Sequence, residues 1–212
     1  MAPAPMAARF ADSLAGRTEW TPTRRSGSNF GTRRLQAVTP DVREFRATTG
    51  AKLFAGLFGA VGLLAAGLGF VVPLLASTKG VHAVGPTWVW FAAGGAFILV
   101  GIGMALFGNQ AITFDRTRGW FWHGKWPAGQ AAPKKGARLD DVHAVQLLKQ
   151  WFSSKDQRGR TSGYWSYEIN LVRKDGSRIN VVGHGNQALV RSDAAQLAQW
   201  LGCPLWDGTT ES

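Results

Sequence analysis

Two long stretches without a charged side chain constrain this chain more than any other feature. From Leu53 to Ser77 run 25 such residues, and from Ala83 to Gly108 another 26. A helix rises about 1.5 Å per residue, so each run exceeds the roughly 30 Å hydrocarbon core of a bilayer. Helices buried in water-soluble domains rarely stay uncharged for so long. The runs predict a transmembrane helical hairpin over 51–108, with spans at about 53–77 and 86–108. The connector Thr78–Pro86 carries Lys79, Gly80, Gly85 and Pro86, which suits a tight turn. Trp88 and Trp90 open the second run, where indole rings favour headgroup depth. Of 24 Lys and Arg residues only Lys79 lies in that connector. The positive-inside rule then places both termini in the cytoplasm.

The first run starts too far along, and is too long, for a cleaved signal segment. Neither span holds an ionisable residue of the kind that marks ion or proton paths, which argues against a channel or transporter. Small residues four apart, at Ala55/Gly59, Gly62/Ala66 and Gly101/Ala105, predict close packing within the hairpin. Pro73 predicts a bend near the end of the first span.

Outside the spans, residues 1–29 are rich in Ala, Pro, Ser, Thr, Gly and Arg and read as a mostly disordered arm, with Trp20 as a tether. Met6, Phe10 and Leu14 recur every four residues, a short amphipathic pattern. A first β-hairpin is expected within 30–50, from Arg33–Val38 and Val42–Thr48 around Thr39-Pro40-Asp41. Beyond the spans, Ala111–Phe114 and Trp120–Trp122 flank another turn, and a Gly/Pro/Lys connector runs over 127–136. Strands follow at about 140–151, through the alternating Trp165, Tyr167, Ile169 and Leu171, and at Ile179–Val182 after Asp175-Gly176. Ser153–Gly163 reads as a long polar loop. A helix at about 187–201 is closed by Gly202 and Pro204. Leu205 and Trp206 are expected to tuck under the sheet, and 208–212 form a tail.

Seven strands and a closing helix follow the element order of a pleckstrin-homology (PH) fold. The expected fold class is therefore an α+β membrane protein. Its transmembrane hairpin is inserted in a PH-like seven-stranded β-sandwich or barrel with a C-terminal helix, the remainder of that domain being 109–207. Three stretches carry a resemblance over residues 30–207: Asn29-Phe30-Gly31-Thr32-Arg33-Arg34-Leu35, Glu168-Ile169-Asn170-Leu171-Val172, and Ile179 through His184-Gly185-Asn186 to Pro204-Leu205-Trp206-Asp207. On these the chain resembles an uncharacterised bacterial family of small membrane proteins with two spans and a PH-like cytoplasmic domain. The resemblance implies the bacterial inner membrane and brings no catalytic residue or ligand.

The formal charge is +11, which invites a nucleic-acid reading. The cations, however, are spread over the arm, 133–138 and 155–160, and no nucleic-acid-binding motif occurs. Solvated positive-inside charge is the plainest account, and anionic headgroup contact the next. The loop between the first two strands is short and acidic, unlike the basic loop of phosphoinositide readers. His123, His143 and His184 have no ligand partner at helical or H-x-H spacing, so no metal is expected; His184, between Gly183 and Gly185, is the one to watch. Cys203 reads as a small buried side chain. Asp140 and Asp141 are adjacent, and on a strand would face opposite ways. No nucleophile elbow, P-loop or dinucleotide motif is present, so neither an enzyme nor a cofactor is expected, and no small-molecule substrate is identified.

The expected role is a protein-interaction or complex-assembly scaffold whose partner is another membrane protein or a second copy. Its contact surface would be Lys155, Arg158 and Arg160 on the long loop, with Trp151 and Trp165 at the base. The alternative is an anionic-lipid-responsive module meeting membrane lipid through Arg34, Arg43, Arg46, Lys52, Trp88 and Trp90.

Overall fold

The computed structural model describes residues 9–23, 31–78, 86–108, 110–133, 135–156 and 158–210. Met6, most of the interspan connector (79–85) and residues 24–30 and 211–212 lie outside them. The chain divides into two units, one running to Thr48 and resuming at Ala111, the other covering Thr49–Gln110.

The second unit is a pair of helices, α1 (Thr49–Thr78) and α2 (Trp88–Gly108), within about four residues of the expected spans. Both are long and apolar enough to cross a membrane, and only 11% of the most apolar stretch of each is buried. Leu53, Leu63, Phe70, Leu74 and Leu99 are each at least 66% exposed. The helices meet on the small residues. A β-carbon at Gly62 would stand 2.6 Å from the Gly94 carbonyl oxygen, and one at Gly101 would stand 3.1 Å from that of Ala55. Backbones approach this closely only where side chains are absent.

The first unit holds two sheets. The five-stranded one runs β1 (Arg33–Thr39), β2 (Val42–Ala47), β3 (Ile112–Asp115), β4 (Trp120–His123) and β5 (Gly136–Arg138), each strand beside the next. β2 therefore pairs with β3 across the helical insert, from Val42↔Asp115 to Phe45↔Ile112. The four-stranded sheet contains β6 (Val142–Lys155), β7 (Thr161–Arg173), β8 (Arg178–His184) and β9 (Leu205–Asp207), in the order β8-β7-β6-β9. All seven expected strands are present, and β5 and β9 are added. β5 forms from the Gly/Pro/Lys connector through Phe121↔Ala137. β9 is the Leu205–Trp206 segment lying parallel to β6.

Alternation decides what each face of the second sheet meets. Val145, Leu147, Ile169 and Leu171 join Phe45, Phe114 and Phe121 of the first sheet in one core. Helix α3 (Gln187–Leu201) adds Val190, Ala194 and Leu197 to it. Each fully buried Phe or Leu contributes about 1.5–3 kcal/mol. Asn186 caps α3 by accepting the Leu189 N–H, and Gly202 ends it at φ 74°. Asp193 accepts from the Leu35 N–H and Arg34 Nε, both at 3.2 Å, so α3 covers the outer edge of β1. That contact protects an otherwise exposed strand edge.

The opposite face of the second sheet corrects the reading of residues 1–29 as mostly disordered. Residues 9–23 lie against it. Phe10 stacks on Trp20 at 5.2 Å, and both rings reach Trp206, with Leu14 and Ala15 buried beside them. Polar bonds reinforce this: the Thr23 N–H to Glu168 at 2.7 Å, Arg178 to the Thr21 carbonyl at 2.7 Å, and Gln146 to the Glu19 carbonyl at 3.0 Å. Three aromatic rings and several paired polar groups fix a segment whose composition reads as disorder.

Candidate interaction surface

The segment read as a long polar loop, Ser153–Gly163, is mostly strand. β6 and β7 pair without interruption from Ala144↔Val172 out to Lys155↔Thr161. Among the described residues of that segment, only Asp156 and 158–160 lie outside the two strands. The turn is built by Asp156, whose Oδ1 accepts the N–H groups of Arg158 and Arg160 at 2.9 Å each while Oδ2 accepts Arg160 Nε at 2.8 Å. The Arg160 side-chain bond, followed by its backbone N–H, holds the Asp156 carboxyl below its ordinary range. Gly159, at φ 76°, supplies the left-handed residue.

β9 pairs with β6 only at Val145–Leu147, and β8 with β7 only at Tyr167–Val172. Beyond those limits no further strand joins β6 or β7 among the described residues. The outer six residues of each strand form a two-stranded ribbon about 20 Å long. Trp151 opposes Trp165 with rings 5.1 Å apart, and Phe152 opposes Tyr164 with rings stacked at 5.7 Å. Successive residues face opposite ways, so each face of the ribbon carries one aromatic pair. Trp151 and Trp165 are 49% and 45% exposed, which is unusual for indoles in a folded sheet. A β-carbon at Gly163 would collide with the Trp151 indole, so glycine lets that ring cross the strand. Lys155, Arg158 and Arg160 sit at the tip, and all three are exposed. The five residues singled out from sequence are thus brought together on one projecting ribbon.

At the foot of the ribbon lies an open hollow of about 460 Å³ between Trp165 and Tyr167 of β7, α3, and the chain after β9. Tyr167 Oη donates to Gln187 Oε1 at 3.2 Å. Arg191 Nη2 donates to Thr209 Oγ1 at 2.7 Å, and its Nε stands 2.8 Å from Asp207. Lys149 Nζ lies 5.3 Å from the Trp165 ring centre, and Arg9 reaches Thr210 at 2.7 Å. Its walls come from four separate parts of the chain, so no local sequence pattern announces it. A second hollow, beside Trp120, pairs four of its charged side chains with one another: Arg138 with Asp140 at 2.7 Å and Arg173 with Asp141 at 2.5 Å.

The residues expected to meet lipid do not form one cluster in the β unit. Arg34 bonds Asp193; Arg46 bonds Glu44 at 2.6 Å. Arg43 donates to the Thr39 carbonyl at 2.6 Å, 5.4 Å from the Trp200 ring centre. Arg43 and Arg46 stand on opposite faces of β2. Lys52 is in the first turn of α1, and Trp88 and Trp90 are exposed in the first turn of α2.

His184 is buried on β8. Its Nδ1 accepts the Asn186 N–H at 3.0 Å, and a β-carbon at Gly31 would come within 2.9 Å of its Nε2. Burial lowers its pKa, and the nearby Asp193 opposes that shift. The Cys203 thiol is pushed up to about 11 by burial, which keeps it a thiol at neutral pH. Among the described residues no cluster of three His, Cys, Asp or Glu side chains is placed to hold a metal ion. No family model, curated protein or solved structure matches the chain.

Proposed function

We propose that this chain is a non-enzymatic integral membrane protein of the bacterial inner membrane. In this reading its PH-like β unit and both termini are cytoplasmic, and the unit serves as a protein-interaction or complex-assembly scaffold. The observation that carries the proposal is the projecting β6–β7 ribbon, with the exposed Trp151–Trp165 pair on one face, the half-buried Phe152 against Tyr164 on the other, and a basic tip. Aromatic residues and Arg are the side chains most enriched where proteins bind one another.

Membrane insertion is supported by the exposure of α1 and α2. A soluble core helix of this composition would be buried, whereas these leave most of their apolar surface uncovered. The PH-like reading is supported by element order, with β1 to β4 in one sheet, β6 to β8 in the other, and α3 after them. Lipid contact through the first hairpin is the weaker reading, because Arg34, Arg43 and Arg46 already bond carboxylates or carbonyls of the chain itself.

The test is affinity capture of the full-length protein from membranes in mild detergent, beside a Trp151→Ser/Trp165→Ser variant of unchanged unfolding midpoint. A stoichiometric membrane-protein partner held by the parent and lost from the variant is the expected result. Equal capture by both rejects the ribbon as the contact surface. Binding of the parent to anionic vesicles alone, with no protein captured, favours the lipid-responsive alternative.

A further inference from the structure

We propose that the connector between β4 and β5 docks on anionic lipid headgroups through Lys125 and Lys135, an inference that rests on the membrane part of the proposed function.

The ladders of the first sheet gather one end of its strands beside the points where the helical pair is joined. β2 ends at Ala47 and α1 begins at Thr49, while α2 ends at Gly108 and β3 begins at Ile112. From that end the register runs Phe45↔Ile112 and Ile112↔His123. Just beyond it the Gly124 N–H donates to the Ala111 carbonyl at 2.8 Å, and the His123 N–H to that of Lys135 at 3.2 Å. Lys125 and Lys135 therefore bracket the connector at the end of the sheet to which both helices are tied.

Covalent reach brings that end to a bilayer face. α2 has 21 residues, about the length that crosses the hydrocarbon core, so a spanning α2 ends at the headgroup boundary. Lys52, the one charged residue in either helix, stands in the first turn of α1, as expected of a residue at headgroup level. The chain from Gly108 to Ala111 spans at most about 11 Å. An anionic surface attracts cations over roughly 8–10 Å at physiological salt, and the tether is of the same length. A headgroup layer is thus the one anionic surface that the chain itself holds near the connector.

Charge is segregated along the sheet in the sense that lipid requires. Across 31–48 and 111–141 the acidic residues are Asp41, Glu44, Asp115, Asp140 and Asp141. Asp41 and Asp115 lie at the opposite end of β2 and β3, and Asp140 and Asp141 follow the opposite end of β5. Glu44, in mid-strand, is bonded to Arg46 and Thr113, and Asp193 of α3 is bonded to Arg34 and the Leu35 N–H. Lys125 and Lys135 are exposed, and neither forms an ion pair among the described residues. Outside those residues only Glu211 and the chain terminus add a carboxylate, whereas Lys134 adds a cation to the connector. The mount is firm: the Trp126 ring packs on Trp122 at 4.9 Å, and its Nε1 donates to the Gln130 carbonyl at 3.1 Å. An ordered mount lowers the entropy lost on docking.

The test is amine acetylation of the full-length protein in lipid discs, with the rate at each lysine read by mass spectrometry. Lys125 and Lys135 should react about fivefold more slowly in discs containing phosphatidylglycerol than in neutral discs, and high salt should abolish the difference. Lys174, exposed and bonded through its N–H to Asp141 beyond the other end of β5, should react alike in both and serves as the internal control. Lys125→Glu should weaken the protection of Lys135 without altering the unfolding midpoint. Equal labelling of Lys125 and Lys135 in the two discs, protection that is indifferent to salt, or equal slowing of Lys174 overturns the proposal. Release of the protein from membranes by alkaline carbonate overturns the membrane reading and this inference together. Retention with equal labelling overturns the headgroup contact alone.

Discussion

Asp193 is the residue through which the first hairpin is locked to the C-terminal helix, and its removal gives a measurable cost. Its side chain is 3% exposed and accepts from Leu35 N–H and Arg34 Nε. A hydrogen bond to a charged group is worth about 1.5–3 kcal/mol. Arg34 is 36% exposed, so water replaces much of what it loses and its share falls to about 0–1 kcal/mol. The Leu35 N–H dominates, and Asp193→Ala should cost about 2 kcal/mol. With a urea slope of about 2 kcal/mol per molar for a unit of this size, the midpoint should fall by roughly 1 M. Intrinsic Trp fluorescence of the full-length protein in detergent reads it. The pH dependence separates two causes. Burial, the largest influence, raises the Asp193 pKa above its ordinary 3.8, although Leu35 N–H and Arg34 both oppose it. A raised pKa means the folded state binds the proton more tightly, so this contribution is full below 3.8 and is lost as pH rises through the folded pKa. The parent should therefore gain on Asp193→Asn as the pH is brought from 7 towards 4. A gap that narrows on acidification would mean the Arg34 ion pair governs, and an unchanged midpoint in Asp193→Ala would refute the edge-locking argument itself.

Two further outcomes depend on local geometry. Gly62→Ala forces a methyl group against the Gly94 carbonyl and Ile98, and should destabilise the α1–α2 pair by about 1–3 kcal/mol; Gly56→Ala, which meets nothing within 4 Å, is the control in a thermal melt of the detergent-solubilised protein. Burial lowers the His184 pKa from 6.5, so the folded state resists the proton and stability is lost as pH falls below 6.5; His184→Gln should flatten that acid slope in urea midpoints, and an unaltered slope assigns it to other groups.

How much of the fold was legible in the sequence depended on whether a signal was local. Gly202 and Pro204 mark the end of α3 in the sequence, and the observed helix has the expected bounds. The uncharged runs announced α1 and α2 because a bilayer-length apolar run needs no partner to be recognised. The ribbon failed as a strand because Ser153, Ser154, Thr161 and Ser162 offer no alternation of apolar with polar. They are extended because the Asp156–Gly159 turn aligns them across from one another. β5 is only three residues long and is held by Phe121 and its neighbours on β4, so nothing within Gly136–Arg138 declares it. The same holds for the arm: Phe10, Leu14 and Trp20 find their order on Trp206, far along the chain. At the candidate site, Trp151 and Trp165 were conspicuous alone, whereas Lys149, Arg191 and Thr209 acquire meaning only when the sheet and α3 bring them around one hollow.

The pairing of β2 with β3 limits what the insert between them can do. Phe45 stands opposite Ile112 with both helices intervening, and paired strands lie about 4.8 Å apart. A segment that leaves and returns at such a separation crosses a bilayer an even number of times or not at all. One span would put β2 and β3 on opposite sides and abolish their ladder, so two spans are the fewest that allow crossing. The insert also bears on how the sheet forms. Closing a flexible loop the length of Thr49–Gln110 costs about 3–4 kcal/mol from its length dependence alone. Helices packed from Gly62 against Gly94 to Gly101 against Ala55 hold the start of α1 near the end of α2, which lowers the closure cost left for pairing β2 with β3. Small residues in the helical hairpin thus serve the β-sheet as well as the helices. Disturbing their packing at Gly62 should therefore loosen Phe45↔Ile112 too, although no atom of that strand pair has been changed.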